Sequence, residues 1–149
     1  MKSPELEITK NMDVVVFHNP DCGTSRNVLA IIEASGYTPT VIEYLKTGWT
    51  RPQLLGLFAA AGLTPKTALR ESKSPAEELG LLAEGVSDDA ILEAMLKDPV
   101  LVNRPIVCTR KGVRLCRPSE IVLQLLEEYP PSPFYKEDGE LLQLPGDKT

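Results

Sequence analysis

Residues 14–27 read Val14-Val15-Val16-Phe17-His18-Asn19-Pro20-Asp21-Cys22-Gly23-Thr24-Ser25-Arg26-Asn27. The β-branched run Val14–Phe17 predicts a short buried strand. It stops at His18-Asn19-Pro20-Asp21, because proline cannot donate to a ladder and Asn and Asp favour a turn. From Thr24 to Ser35, Val28, Leu29, Ile31 and Ile32 recur at helical spacing, and Gly36 ends that helix. Thr40-Val41-Ile42-Glu43-Tyr44-Leu45 then predicts a second strand. Strand, loop, helix and strand in this order predict a crossover into a parallel pair.

Outward from that unit, residues 50–98 read as a run of short helices. Leu54, Leu55, Leu57, Phe58 and Ala61 mark one. Ser87, followed by Asp88-Asp89 and by Ile91, Leu92, Met95 and Leu96, marks another with an N-cap and an acidic first turn. Pro105–Thr109 and Val113–Cys116 are expected strands around Arg110-Lys111-Gly112. A last helix is expected from Pro118 to Glu128, with Ile121, Val122, Leu125 and Leu126 on one side. The order is β-α-β, a helical insert, then β-β-α, which is that of an α/β, thioredoxin-like domain with helices inserted in the middle. The expected organisation is therefore an N-terminal arm (1–12), one domain (13–129) with its insert at about 50–98, and a loosely held acidic tail (130–149).

The whole chain fits that plan. Its 149 residues suit one domain, and 42 % hydrophobic with 25 % charged residues is globular rather than disordered or fibrous. No apolar run approaches the ~20 residues that span a bilayer, and residues 1–11 have no apolar secretory core, so a soluble, cytoplasmic protein without a membrane partner is expected. A net charge of −5 makes the chain a poor general binder of nucleic acid, without excluding a small local anion site. Three cysteines and one histidine, with no C-x-x-C pair, predict reduced thiols and no metal site.

The loop at the start of the first helix carries the chemistry. There the first helical N–H groups lack intrahelical partners, and the helix dipole adds about half a positive charge. Both favour an oxyanion and a thiolate in one place. A cysteine of pKa about 8.5 is only ~3 % thiolate at pH 7, whereas one at about 6.5 is mostly thiolate. Burial as a small core residue is the commonest fate of free cysteine; the polar neighbours and helix-start position of Cys22 argue against burial and favour a reactive thiol. Gly23 lets backbone approach a ligand, and Thr24 or Ser25 can cap the helix or donate a hydroxyl. His18 can lower the thiol's pKa or tie down the loop. Cys108 reads as strand packing, and Cys116 leans the same way.

Three residues separate Cys22 from Arg26, too few for a phosphatase-type phosphate cradle. Arg26 reads as a solvated side chain of the first turn. Arginines from elsewhere must then serve an anion at Cys22: Arg70, Arg104 and Arg117, the last two each abutting a proline at an element boundary. Arginine forks bind tetrahedral oxyanions bidentately and keep their charge.

With His18–Asn27, Asn103-Arg104-Pro105-Ile106-Val107 and Leu115-Cys116-Arg117-Pro118-Ser119-Glu120 in this order, the sequence resembles the glutaredoxin-coupled arsenate reductases of the thioredoxin superfamily. The resemblance covers roughly Met12 to Glu128. It implies Cys22 as nucleophile, His18 as the neighbour easing thiolate formation, and Arg70, Arg104 and Arg117 as the oxyanion holders, with Gly23, Thr24 and Ser25 also in the substrate site. The flank Leu69-Arg70-Glu71-Ser72 departs from the family's usual one. Pro105 is implied to be the cis-proline beside the site. No permanently bound cofactor is implied; glutathione is the co-substrate and glutaredoxin the partner. Two alternatives stand beside it. A redox regulator of the Spx type has C-x-x-C at this helix, where this chain has Ser25. A glutathione-dependent thiol reductase would use the arginines for glutathione carboxylates.

Overall fold

The computed structural model describes residues 14–146, so the arm at 1–12 lies outside the described residues. Four short strands form one mixed sheet: β1 (Val15–His18), β2 (Thr40–Glu43), β3 (Ile106–Thr109) and β4 (Gly112–Leu115), in the order β2-β1-β3-β4. β1 and β2 are parallel, with Val15 opposite Thr40 and His18 opposite Glu43. β3 runs antiparallel to both β1 and β4. The expected α/β order is therefore the observed one.

Side chains alternate across this sheet, as a period of two requires. Val14, Val16 and Val107 face one side, against Val28, Ile31 and Ile32 of helix α1 (Gly23–Ala34) and Val122 and Leu125. Phe17 and Ile106 face the other, against the inserted helices. Both faces are covered, which explains a strand as uniformly apolar as Val14–Phe17. Each fully buried Ile or Val contributes about 1.5–3 kcal/mol of apolar burial.

The insert holds a short helix α2 (Tyr44–Thr47), then α3 (Arg51–Ala61) and α4 (Asp88–Lys97). Tyr44 and Leu45 were expected to extend β2; they form α2 instead, and Tyr44 turns into the core against Trp49. Thr50 and Gln53 form a capping box at α3, which Gly62 ends with φ 70°. Ser87 caps α4 by accepting the Ala90 N–H, as its sequence predicts. Residues 62–86 run largely as turns. Within them Leu69 bridges Val102, and the Arg70 N–H donates to the Leu101 carbonyl at 2.8 Å. This short bridge pins Arg70 beside the chain that enters β3.

Two further expectations need correction. The segment after Arg117 is a 3-10 helix over Ser119–Leu125, not an α-helix. Ser119, Val122, Leu123 and Leu125 are buried over this short run, and β-branched Ile121 and Val122 favour the α-form weakly. The described part of the tail, to residue 146, is not loosely held either. Residues 134–142 fold back as a small hairpin with a Tyr135–Leu141 bridge, and Leu142, 1 % exposed, belongs to the core beneath α1. Burial of Leu142 and Phe134 outweighs the turn-rich composition of this stretch.

Candidate active site

β1 ends at His18, where the chain turns before α1. The Asn19 carboxamide oxygen accepts the Asp21 N–H at 2.9 Å, and the Asn19 carbonyl accepts the Cys22 N–H at 3.1 Å. The Ser25 hydroxyl accepts the Asn19 N–H at 3.1 Å and shares a 2.7 Å hydrogen bond with His18 Nδ1. His18, Asn19 and Ser25 are all buried. Ser25 thus binds the loop to itself through its hydroxyl. Burial, the main influence, pulls His18 below its usual pKa against the opposing pull of Glu43, so the imidazole is neutral at pH 7. Its Nδ1 bond to Ser25 ties it into the loop that carries Cys22.

This loop leaves Cys22 as the N-cap residue of α1, with extended backbone (ψ 122°); contrary to expectation it is buried, at 6 % exposure, because the Cys22 loop and Arg117 close over it. Burial alone raises its pKa and is the largest single influence. It is outweighed by the Ser25 backbone N–H, by the Arg104 charge, and by the hydrogen bond and charge of Arg117. The thiol therefore lies below the ordinary cysteine range. Arg117 Nη1 stands 3.7 Å from Cys22 Sγ and also donates to the Arg104 carbonyl at 3.1 Å.

Arg104 is half-buried, with Nη1 on Asn103 Oδ1 at 3.1 Å. Its Nε is buried without a hydrogen-bond partner. A buried guanidinium N–H left unpaired is costly unless a ligand accepts from it. Arg70, half-buried, donates Nε to the Ser72 carbonyl at 3.2 Å. Its pKa is lowered, first by burial and then by the Arg104 charge, with Cys22 and Arg117 also within its field. The structure thus brings Cys22, Arg70, Arg104 and Arg117 together, although they come from four separate segments. Three cations beside one cysteine leave a net positive pocket suited to an oxyanion. The Arg104–Pro105 bond is cis, as the resemblance implied; Arg117–Pro118 and Ser132–Pro133 are cis as well.

Gly23 and Thr24 lie half-buried in the first turn of α1. Arg26 donates to the Pro20 carbonyl and to Glu137. Sequence reasoning missed Tyr44. Its ring is buried on Trp49, and its hydroxyl, 3.5 Å from the Val102 carbonyl, also engages Asn19. Burial pushes its pKa up to about 12, so it stays a neutral donor. The available signal was its place directly after β2, since ligands gather at the carboxyl ends of parallel strands.

The other thiols differ. Cys108 is pushed up to about 11 and Cys116 to about 12, both by burial. All three cysteines are free. Among the described residues no cluster of His, Cys, Asp and Glu could hold a metal ion, and no helix is long and apolar enough to cross a membrane.

Comparison with known proteins agrees with this geometry. Residues 17–125 match the model of the ArsC family. An arsenate reductase of Synechocystis is 70 % identical over 135 residues, covering 91 % of this chain and 93 % of that protein. The arsenate reductase of Escherichia coli K12 is 48 % identical over 128 residues, covering 86 % and 91 %. A solved arsenate reductase from Vibrio cholerae superposes with a TM-score of 0.72 at 40 % identity, covering 77 % of this chain and 98 % of that one. With a cysteine at the first-helix N-cap and arginines converging on it, the chain belongs to the ArsC family.

Proposed function

We propose that this protein reduces arsenate to arsenite, with Cys22 as nucleophile and glutathione and glutaredoxin as reductants. The observation that carries the reading is the Arg117 guanidinium 3.7 Å from the Cys22 sulfur. The unpaired Arg104 Nε lies in the same cluster. Relatives at 48–70 % identity are arsenate reductases.

The Cys22 thiolate attacks As(V) of bound arsenate, and one arsenic oxygen leaves as water after protonation. Arg70, Arg104 and Arg117 offset the charge on the remaining oxygens; the backbone at Gly23 and Thr24 and the Ser25 N–H line the same side. Glutathione displaces a second oxygen, giving arsenic bonded to both sulfurs. A glutaredoxin thiolate then attacks the glutathione sulfur. The sulfur–arsenic bond pair stays on arsenic, which becomes As(III), and glutaredoxin leaves as a mixed disulfide with glutathione. Water releases arsenite and returns the Cys22 thiolate. An external thiol suits a chain with no C-x-x-C partner for Cys22, and no permanently bound cofactor enters any step. Three free thiols suit the reducing cytoplasm. The same reading makes residues 13–129 one reductase domain with its helical insert at about 50–98.

The test couples arsenate, glutathione and glutaredoxin to NADPH through glutathione reductase. NADPH loss that requires arsenate, glutaredoxin and Cys22 together is expected. A folded protein with reduced Cys22 and no arsenate-dependent signal would overturn the reading.

A further inference from the structure

Two residues 111 positions apart meet against the first turn of α1. Arg26 donates Nε to Glu137 Oε2 at 2.9 Å and Nη2 to Glu137 Oε1 at 2.8 Å, a two-pronged pair. Its remaining Nη1 donates to the Pro20 carbonyl at 2.7 Å, inside the Cys22 loop. The Glu137 N–H in turn donates to Asn27 Oδ1 at 3.0 Å.

Glu137 sits on a built element. Lys136, its side chain 9 % exposed, pairs with Glu120 at 2.7 Å and Glu140 at 3.2 Å. The Leu142 side chain anchors the hairpin in the core. The ion pair itself is half-exposed, at 45 % and 44 %. Pairs so exposed contribute little to stability, so its contribution lies in where it holds the chain. The pair also crowds Gly23: a Cβ there would stand 3.0 Å from Glu137 Oε1 and 3.8 Å from Arg26 Nη2. The pair is laid directly over the residue that follows Cys22.

We infer that the C-terminal hairpin is a positioning device for the Cys22 loop: Glu137, acting through Arg26, holds the Pro20 carbonyl and the first turn of α1 so that the sulfur faces the arginines. Glu137 and Arg26 are positioning residues and touch no reacting atom. A side chain at position 23 would press on this clasp. The inference rests on Cys22 being the reactive thiol and deepens that reading.

The experiment measures Cys22 alkylation by iodoacetamide against pH, located by peptide mass, in wild type, Arg26→Gln, Glu137→Gln and the double variant. Thermal unfolding is followed in parallel. Alkylation needs no arsenate, so its outcome is independent of whether the protein reduces arsenate. Both single variants should alkylate more slowly at neutral pH, by roughly three- to tenfold, inside the ~10²-fold that a 1 Å misplacement can cost. Both pH midpoints should rise, and the double variant should be no slower than the slower single. Gly23→Ala, which keeps both charges and presses on the carboxylate, should move the same way by less. A purely electrostatic effect would give opposite shifts, Arg26→Gln raising the midpoint and Glu137→Gln lowering it; that result overturns the inference. Unchanged pH profiles, with or without a lower melting temperature, overturn it too.

Discussion

Cys22 and Cys116 are the same side chain in nearly the same degree of burial, 6 % and 0 % exposed, yet their pKa values are shifted in opposite directions. Desolvation raises the pKa of both. At the start of α1 an amide and two guanidinium groups more than offset it. At the end of β4, Cys116 faces packed apolar side chains and a carbonyl, that of Arg114 at 3.7 Å, and is pushed up to about 12. Burial by itself disfavours a thiolate; burial among fixed donors can favour one.

The strongest way to break this contrast is Cys22→Ser. Arsenate turnover should vanish while the melting temperature and circular dichroism stay near wild type; residual activity within a few-fold would show that another thiol does the work. Arg104→Lys and Arg117→Lys come next. Each keeps a charge but loses the fork, and turnover should fall by about 10²-fold, the scale of losing one oxyanion donor. Because the Arg117 hydrogen bond favours the thiolate, Arg117→Lys should also move the alkylation midpoint of Cys22 to higher pH. A turnover loss matched by unfolding would instead make these arginines structural.

Ser25→Ala sharpens the picture from the loop's side. It leaves the Asn19 N–H buried without its acceptor, a cost of about 1–3 kcal/mol. Chemical denaturation should show that loss, with slower Cys22 alkylation beside it. Stability against pH tests the other thiols. Their folded pKa values are raised, so above the ordinary thiol range the unfolded chain has released protons that the folded chain retains. Stability should therefore fall as pH rises from about 9 towards 11–12, by up to about 1.4 kcal/mol per pH unit for a fully buried thiol. Cys116→Ala should flatten that decline. The smallest effect expected is the same variant's turnover at neutral pH, which should be unchanged; a large drop would implicate Cys116 in an internal disulfide with Cys22.

The strand, turn and helix around Cys22 were legible because their signals are local: a β-branched run, a proline that ends it and a helical repeat that follows. Arg104 and Arg117 were legible from the prolines beside them. Local signals fail where partners are distant. Nothing near Arg26 announces Glu137, and a charged turn such as Lys136-Glu137-Asp138-Gly139 reads as solvated surface. Tyr44 was hidden by an alternating pattern that fits strand as well as the turn into α2. The 3-10 form of Ser119–Leu125 was missed because apolar residues spaced three and four apart fit both helices over so short a run. Ser25 was seen as a ligand-binding hydroxyl; its buried bond to His18 emerges only when β1 and α1 are placed side by side.

Trp49 is the chain's one tryptophan, and it lies between Phe17, at 5.2 Å, and Tyr44, at 4.9 Å, in ring-centroid distance. Tyr44 in turn reaches Asn19 and lies in the field of Arg70 and Arg104. The molecule thus carries an optical reporter one ring removed from its anion pocket. Tryptophan emission, blue-shifted by burial in the native state, should change in intensity when an oxyanion neutralises the arginines and shift to the red when the chain unfolds. Occupancy and unfolding can then be followed separately in unlabelled protein.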